Sequence, residues 1–222
     1  MSLSSEREVV FIIPGPVGAL EVKCVHPAAS GPLAEAGYLA VVCHPNPTRG
    51  GDMHNKVVTT LLRTYRDLGV PVLAFNFRGV GKSEGVFDRG LGEQEDLQAV
   101  IRWGKQQWPS ARLMLAGFSF GSSIAAAVSH RRDDLAHLLL VAPPVDRYLY
   151  EQDGRFPVPV CVVQGGQDEL IPASQVYRWV DQLQSPVRLI RYPDASHFFH
   201  GCLTALKADV SRVLQGLPAS SF

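Results

Sequence analysis

Continuous apolar runs recur along this chain, and segments of helical periodicity fall between them. Tyr38 to Cys43, Pro71 to Phe77, Leu113 to Ala116, Leu138 to Ala142, Val158 to Val163 and Val187 to Tyr192 read as strands. A strand buried on one face alternates apolar and polar residues, whereas one buried on both faces reads as an unbroken apolar run. Asn55 to Leu68, Gly92 to Trp108, Ser174 to Leu183 and Leu203 to Leu214 carry helical spacing. Strand and helix in alternation predict an α/β fold, with a mostly parallel sheet of about eight strands and helices on both faces. Two strands at the start, Glu8 to Ile13 and Ala19 to Val25, join through a turn at Pro14-Gly15-Pro16. No linker or repeat divides the 222 residues, so a single domain spanning 1–222 is expected.

Within this pattern stands Gly117-Phe118-Ser119-Phe120-Gly121, between the apolar run ending at Ala116 and the small-residue run from Ser123 to Val128. A G-x-S-x-G pentapeptide between strand and helix is a nucleophile elbow, with Ser119 at the tip of a strained turn. The glycines on either side allow backbone approach that a Cβ would block. The following helix aims its N-terminal dipole at the serine, and the Phe120 N–H is placed to hold an oxyanion.

A serine hydroxyl needs a base, and the base needs an orienting acid. Behind this elbow the expected order is Ser, then Asp or Glu, then His, each on a loop after a strand. Gln164 to Pro172 follows one strand and carries Asp168. Pro193 to Phe198 follows the next and carries His197. Both loops leave the carboxyl edge of the sheet, as Ser119 does, which is where parallel sheets bind ligands. Asp168 is the expected acid, with adjacent Glu169 its rival; Asp194 is too close in sequence to reach His197 and reads as a turn residue. His197 is the expected base; its rival His200 falls within the expected start of the last helix. His26, His54, His130 and His137 read as structural or surface residues.

A second oxyanion donor is expected from the loop after Tyr38 to Cys43, His44-Pro45-Asn46-Pro47. Proline has no N–H, so Asn46 carries the only amide between the two prolines, in a segment they stiffen.

These motifs, with Asn76-Phe77-Arg78-Gly79-Val80-Gly81-Lys82-Ser83-Glu84-Gly85 and Ala195-Ser196-His197-Phe198-Phe199, resemble an α/β-hydrolase fold serine hydrolase from about Val9 to Leu214. The chain is most similar to small lidless bacterial carboxylesterases related to dienelactone hydrolase, with serine where dienelactone hydrolase has cysteine. Many relatives have His-Gly where this chain has His44-Pro45, and Asp where it has Asn76. By analogy with the fold, Arg78 braces neighbouring loops. Gly81-Lys82-Ser83 is P-loop-like, but Asn76 replaces the required first glycine, which argues against nucleotide binding.

The resemblance implies hydrolysis of small carboxylic esters through Ser119, His197 and Asp168, with Asn46 and Phe120 as oxyanion donors. It implies no cofactor and no metal. About fifteen residues, Pro143 to Pro157, separate the strand after the elbow helix from the next strand. That leaves no room for a cap domain, so an open site facing solvent is expected. Phe118, Phe120 and Phe198 near it suggest short acyl chains. Thioester or short-peptide hydrolysis by the same triad is the alternative, and a non-catalytic binding module on this fold is another.

Composition narrows the partners. Charged residues form 19% of the chain, and 21 basic and 21 acidic side chains balance. That balance gives no sign of nucleic acid or an anionic membrane surface as a partner. No apolar stretch is long enough to span a bilayer. The start, Met1 to Arg7, lacks a basic segment followed by an apolar one, so it does not read as a secretory signal. Cys24, Cys43, Cys161 and Cys202 are spaced too widely for a zinc clip or C-x-x-C chemistry and read as buried reduced thiols. A cytoplasmic enzyme meeting a small-molecule acyl ester is the expectation.

Overall fold

The computed structural model describes residues 7–150 and 153–217. Of the amino-terminal reading, residues 1–6 lie outside this range, as do Glu151 and Gln152 of the Pro143 to Pro157 connection.

Eight strands form one sheet: β1 (Glu8–Gly15), β2 (Gly18–Val25), β3 (Tyr38–Cys43), β4 (Val72–Phe75), β5 (Arg112–Phe118), β6 (Leu135–Val141), β7 (Val160–Gly165) and β8 (Val187–Tyr192). Their spatial order is β1-β2-β4-β3-β5-β6-β7-β8. β1 and β2 are a hairpin and β2 is antiparallel to β4; all other pairs are parallel. Among the described residues there are five α-helices: α1 (Lys56–Asp67), α2 (Gly92–Gln107), α3 (Phe120–Ser129) and α4 (Ala173–Gln182) connect strands, and α5 (Leu203–Gln215) follows the last strand. α1 packs with α5, and α2 with α3. Right-handed crossovers place the connections that run in opposite directions along the sheet on opposite faces.

β3, β4, β6 and β7 are buried throughout and β5 from Leu113 onward, which is why they read as apolar runs. β8 is an edge strand with alternating exposure, and its Arg191 guanidinium lies over the Tyr177 ring at 4.2 Å. Chain direction along the sheet reverses between β3 and β5. The crevice at their carboxyl ends is the switch point where such sheets bind ligands.

Most strand limits differ from those expected by one to three residues, and three of the shifts have a local reason. β6 begins at Leu135, because His137 is polar in the sequence yet wholly buried in the strand. β7 begins at Val160, since Pro157 and Pro159 cannot donate to a ladder. β4 ends at Phe75, because the Phe77 N–H leaves the ladder for the His44 ring.

Between β6 and β7 no helix or strand forms among the described residues, so there is no cap. Cys24, Cys43, Cys161 and Cys202 are free, the first three buried. Burial pushes the Cys24 and Cys161 thiols up to about 12. No helix among the described residues is long and apolar enough to cross a membrane.

Candidate active site

Ser119 sits between β5 and α3 with φ 52° and ψ −124°. This backbone region is disfavoured for any residue with a Cβ and costs on the order of 1–3 kcal/mol. Surrounding contacts hold it there. The Ser119 N–H donates to Val141 O at 2.8 Å, continuing the β5–β6 ladder into the turn. A Cβ on Gly117 would strike the Gly121 carbonyl. One on Gly121 would strike the His44 carbonyl and approach the Cys43 oxygen to 2.5 Å. The two glycines therefore let the turn close on itself and let α3 press against the end of β3.

The β3 loop is fixed as firmly. His44 is fully buried, and burial lowers its ring to about 4. The neutral imidazole has one N–H: Nδ1 donates to Pro45 O at 2.7 Å, and Nε2 accepts the Phe77 N–H at 3.0 Å. Because a peptide unit is planar, pinning the Pro45 carbonyl also pins the Asn46 N–H. The Asn46 side chain accepts from the Thr48 N–H at 2.8 Å and caps a single 3-10 turn over Pro47–Arg49. Neither the Asn46 nor the Phe120 N–H has an acceptor among the described residues. Asn46, Ser119 and Phe120 line one pocket of about 50 Å³.

Asp168 and His197 are brought together across the β7 and β8 loops. Asp168 Oδ2 lies 2.8 Å from His197 Nδ1, and both side chains are buried. A Cβ on Gly165 would come within 2.5 Å of Ala195 O, and one on Gly166 would strike Pro193 O, so both glycines are needed for the loops to meet. Asp168 Oδ1 accepts the Leu170 and Ile171 N–H groups at 2.9 and 2.8 Å, and Gln164 Nε2 donates to Oδ2 at 3.1 Å. Burial pushes the Asp168 carboxyl up. Its hydrogen bond to His197, that ring's charge and the two backbone donors outweigh burial and hold it below the ordinary range.

The rivals lie elsewhere. Glu169 accepts the backbone N–H of His197 at 3.1 Å and makes no contact with the ring nitrogens. Asp194 is exposed in a turn. His200 is exposed and lies outside the last helix, contrary to expectation, because α5 starts only at Leu203. Ser119 Oγ and His197 share no hydrogen bond; in unliganded enzymes such contacts are commonly long and tighten with substrate. Phe118, next to Ser119, packs its ring 5.0 Å from that of His197, which holds the imidazole beside the elbow.

The elbow is less open than the missing cap suggested. Ser119 is half-buried, because Pro144, Arg147 and Tyr148 of the β6–β7 connection wall its pocket together with Leu170 and Ile171. Tyr148 stands edge-on to Phe120, with centroids 5.8 Å apart. Sequence reasoning did not single out Gln164. Its signal was a polar residue closing the apolar run of β7.

Arg78 forks onto Asp96 (Nη2 to Oδ1 2.8 Å, Nε to Oδ2 3.0 Å) and tethers the loop after β4 to α2. In the P-loop-like segment, Glu21 accepts the Lys82 N–H at 3.0 Å, so that amide serves an internal carboxylate. Among the described residues no cluster of His, Cys, Asp and Glu could hold a metal ion.

A family described as serine aminopeptidase S33 matches residues 41–152, which include the β3 loop and the elbow. The chain belongs to this family of α/β hydrolases. Two solved structures resemble this S33-family chain over nearly all its length. An alpha-beta serine hydrolase homologue from Coxiella burnetii is 43% identical, with 96% of this chain and 99% of that one covered and a TM-score of 0.88. XC6422 from Xanthomonas campestris, an a/b serine hydrolase without lid, is 39% identical over the whole of both chains, also with a TM-score of 0.88. An uncharacterized protein of Rickettsia prowazekii is 36% identical over 195 residues, covering 83% of this chain and 79% of that one.

Proposed function

We propose that this S33-family chain is a serine hydrolase of small carboxylic esters, with Ser119 as nucleophile, His197 as base and Asp168 as orienting acid. The observation that carries the reading is the pairing of a strained Ser119 at φ 52° with a buried Asp168–His197 hydrogen bond on loops at the same sheet edge. His197 Nδ1–H donating to Asp168 leaves Nε2 as the acceptor that can take the Ser119 proton.

The oxygen of Ser119 attacks the ester carbonyl as its proton passes to His197 Nε2. The Asn46 and Phe120 N–H groups stabilise the oxyanion, and Asp168 stabilises the imidazolium. The acyl–oxygen bond breaks as His197 returns the proton to the departing alcohol. Water then gives its proton to His197 and attacks the acyl-enzyme, and the bond to Ser119 breaks as His197 returns that proton to the serine oxygen, releasing the carboxylic acid.

Esters are preferred over peptides with a free amino terminus because of charge. An α-ammonium needs a nearby carboxylate, and the Ser119 pocket is lined by Arg49 and Arg147 with no Asp or Glu. Its volume of about 50 Å³ suits a group of acetyl size. Two more distant structures of this fold carry esterase names, Est1E from Butyrivibrio proteoclasticus, solved with ferulic acid, and Pf2001 from Pyrococcus furiosus.

An organophosphonate probe tests the reading. One covalent adduct should map to Ser119 by peptide mass spectrometry, and Ser119→Ala should lose both the adduct and hydrolysis of p-nitrophenyl acetate. A parent protein that neither labels nor hydrolyses activated esters refutes it.

A further inference from the structure

The Ser119 pocket adjoins a larger cavity across a shared wall. Arg147 and Tyr148 line both that pocket and a second cavity of about 430 Å³. Ser123, Ile124 and Ala127 of α3 form its floor, and Arg131 closes the far end. Residues at this spacing share one helix face. At 1.5 Å per residue the groove runs roughly 18 Å from Ser119 to Arg131. Arg89 and Leu91, before and at the start of α2, make the facing wall.

Among the described residues the charge in this groove is all of one sign: Arg89, Arg131 and Arg147 line it, Arg49 sits at the Ser119 end, and no described Asp or Glu lines either cavity. Arg147 has partners: Nη2 donates to Leu170 O at 2.9 Å, and Nε lies 3.7 Å from Asp146. Among the described residues the side chains of Arg49, Arg89 and Arg131 have no ion pair or hydrogen bond. Other guanidiniums, such as Arg78 with Asp96 and Arg132 with Asp134, are paired, and what distinguishes the groove is that three without partners line the two adjoining cavities. The nearby acids are turned to backbone: Glu93 accepts the Asp88 and Gly90 N–H groups, and Asp88 accepts that of Gly92. In a chain with no net charge this is a local excess of cations. The groove also holds two prominently exposed leucines, Leu91 at 73% and Leu149 at 90%.

We propose that this groove binds the anionic end of the substrate, an acyl ester bearing a carboxylate or phosphate group on an apolar chain of several carbons. The proposal rests on the hydrolase reading of Ser119. The ester bond lies at Ser119, the chain runs along α3 against Leu91, Ile124 and Leu149, and the anion meets Arg89 and Arg131. A surface arginine alone is unremarkable. Cations and apolar side chains concentrated on one groove beside the nucleophile's pocket suit an amphipathic anion.

Matched substrates test this. Mono-p-nitrophenyl esters of α,ω-dicarboxylic acids of four to twelve carbons are compared with p-nitrophenyl esters of the plain acids of equal length. A second series carries a terminal phosphate. Acetate esters of ω-hydroxy acids, against acetates of plain alcohols, read the opposite orientation. The ratio of kcat/KM, charged over neutral, should rise with length to tenfold or more in at least one series, and the larger of the carboxylate and phosphate ratios identifies the anion. In 0.5 M NaCl the ratio should fall severalfold, since exposed charges are screened. Arg89→Gln with Arg131→Gln should bring it close to one, while Arg102→Gln, exposed and outside the groove, should leave it unchanged. A ratio at or below one at every length in all series, or one indifferent to both salt and the double substitution, overturns the proposal. Hydrolysis of the neutral esters, with phosphonate labelling of Ser119, would still uphold the hydrolase reading.

Discussion

Asp168 Oδ2 and His197 Nδ1 are 2.8 Å apart, and neighbouring Glu169 holds the His197 backbone N–H at 3.1 Å. Two adjacent carboxylates thus grip one histidine at different points, the first on the ring and the second on the main chain. Only the first can set the tautomer. Asp168→Asn is expected to lower kcat on p-nitrophenyl acetate by roughly 10⁴-fold, because an amide there can stabilise the wrong ring tautomer. Glu169→Gln keeps an acceptor for the His197 N–H and should change kcat by less than about tenfold, on the order of one hydrogen bond. Steady-state kinetics with circular dichroism as a folding check decide it; the reverse ranking would make Glu169 the acid.

Gly121 gives a stability prediction independent of chemistry. A Cβ there would strike the His44 carbonyl and press to 2.5 Å on that of Cys43, and both belong to fixed backbone. Gly121→Ala should cost roughly 1–3 kcal/mol by overpacking, which for a chain of this size lowers Tm by roughly 2–12 °C. It should also displace the Phe120 N–H and lower activity in whatever protein still folds. Unchanged melting and unchanged turnover would show that α3 does not need this approach.

Much of this arrangement was legible in the sequence, because the fold leaves local marks. Fully buried strands appear as apolar runs, and the elbow glycines sit where a Cβ would collide. Asp168 and His197 were found from strand ends and chain order, without knowledge of their contact. What stayed hidden depends on long-range partners. His137 looks polar and is strand core; Glu169 and Asp168 are neighbours whose roles separate only when β8 arrives. The wall made by Arg147 and Tyr148 comes from a loop without periodicity, so the pocket's restriction could not be read from it.

Acid stability should follow two buried histidines. Burial lowers both His44 and His137 to about 4, against 6.5 for the unperturbed ring. The unfolded chain therefore binds more protons between pH 6.5 and 4. Stability is fully present above pH 6.5 and falls as pH drops towards 4, by on the order of 3 kcal/mol for each ring. Asp168, also lowered, adds its loss only below the ordinary carboxylate range and does not obscure this window. Urea midpoints from pH 7 to 4.5 should fall steadily, and His137→Leu should flatten the slope by about half. A midpoint constant over that range would contradict the assignment of both rings as neutral.

The departure at Asn76 has a partner that accounts for it. Its Nδ2 donates to Glu21 Oε2 at 2.8 Å, and its Oδ1 accepts the Met53 N–H at 2.9 Å. Both Asn76 and Glu21 are buried. Asn76→Asp would keep the Met53 contact but replace a donor with an acceptor, leaving two carboxylates side by side. One of them must then hold a proton, which raises its folded pKa above the unfolded value. With that sign, the variant loses stability as pH rises above about 4, and at pH 7 the deficit should reach on the order of 2–3 kcal/mol. Glu21→Gln in the same chain restores a donor facing an acceptor but withdraws the oxygen that accepts the Lys82 N–H, so it should recover only part of the loss. Denaturation of the parent, both single variants and the double variant at pH 5 and pH 7 measures the coupling. If Asn76→Asp is as stable as the parent at pH 7, the amide is not required by Glu21.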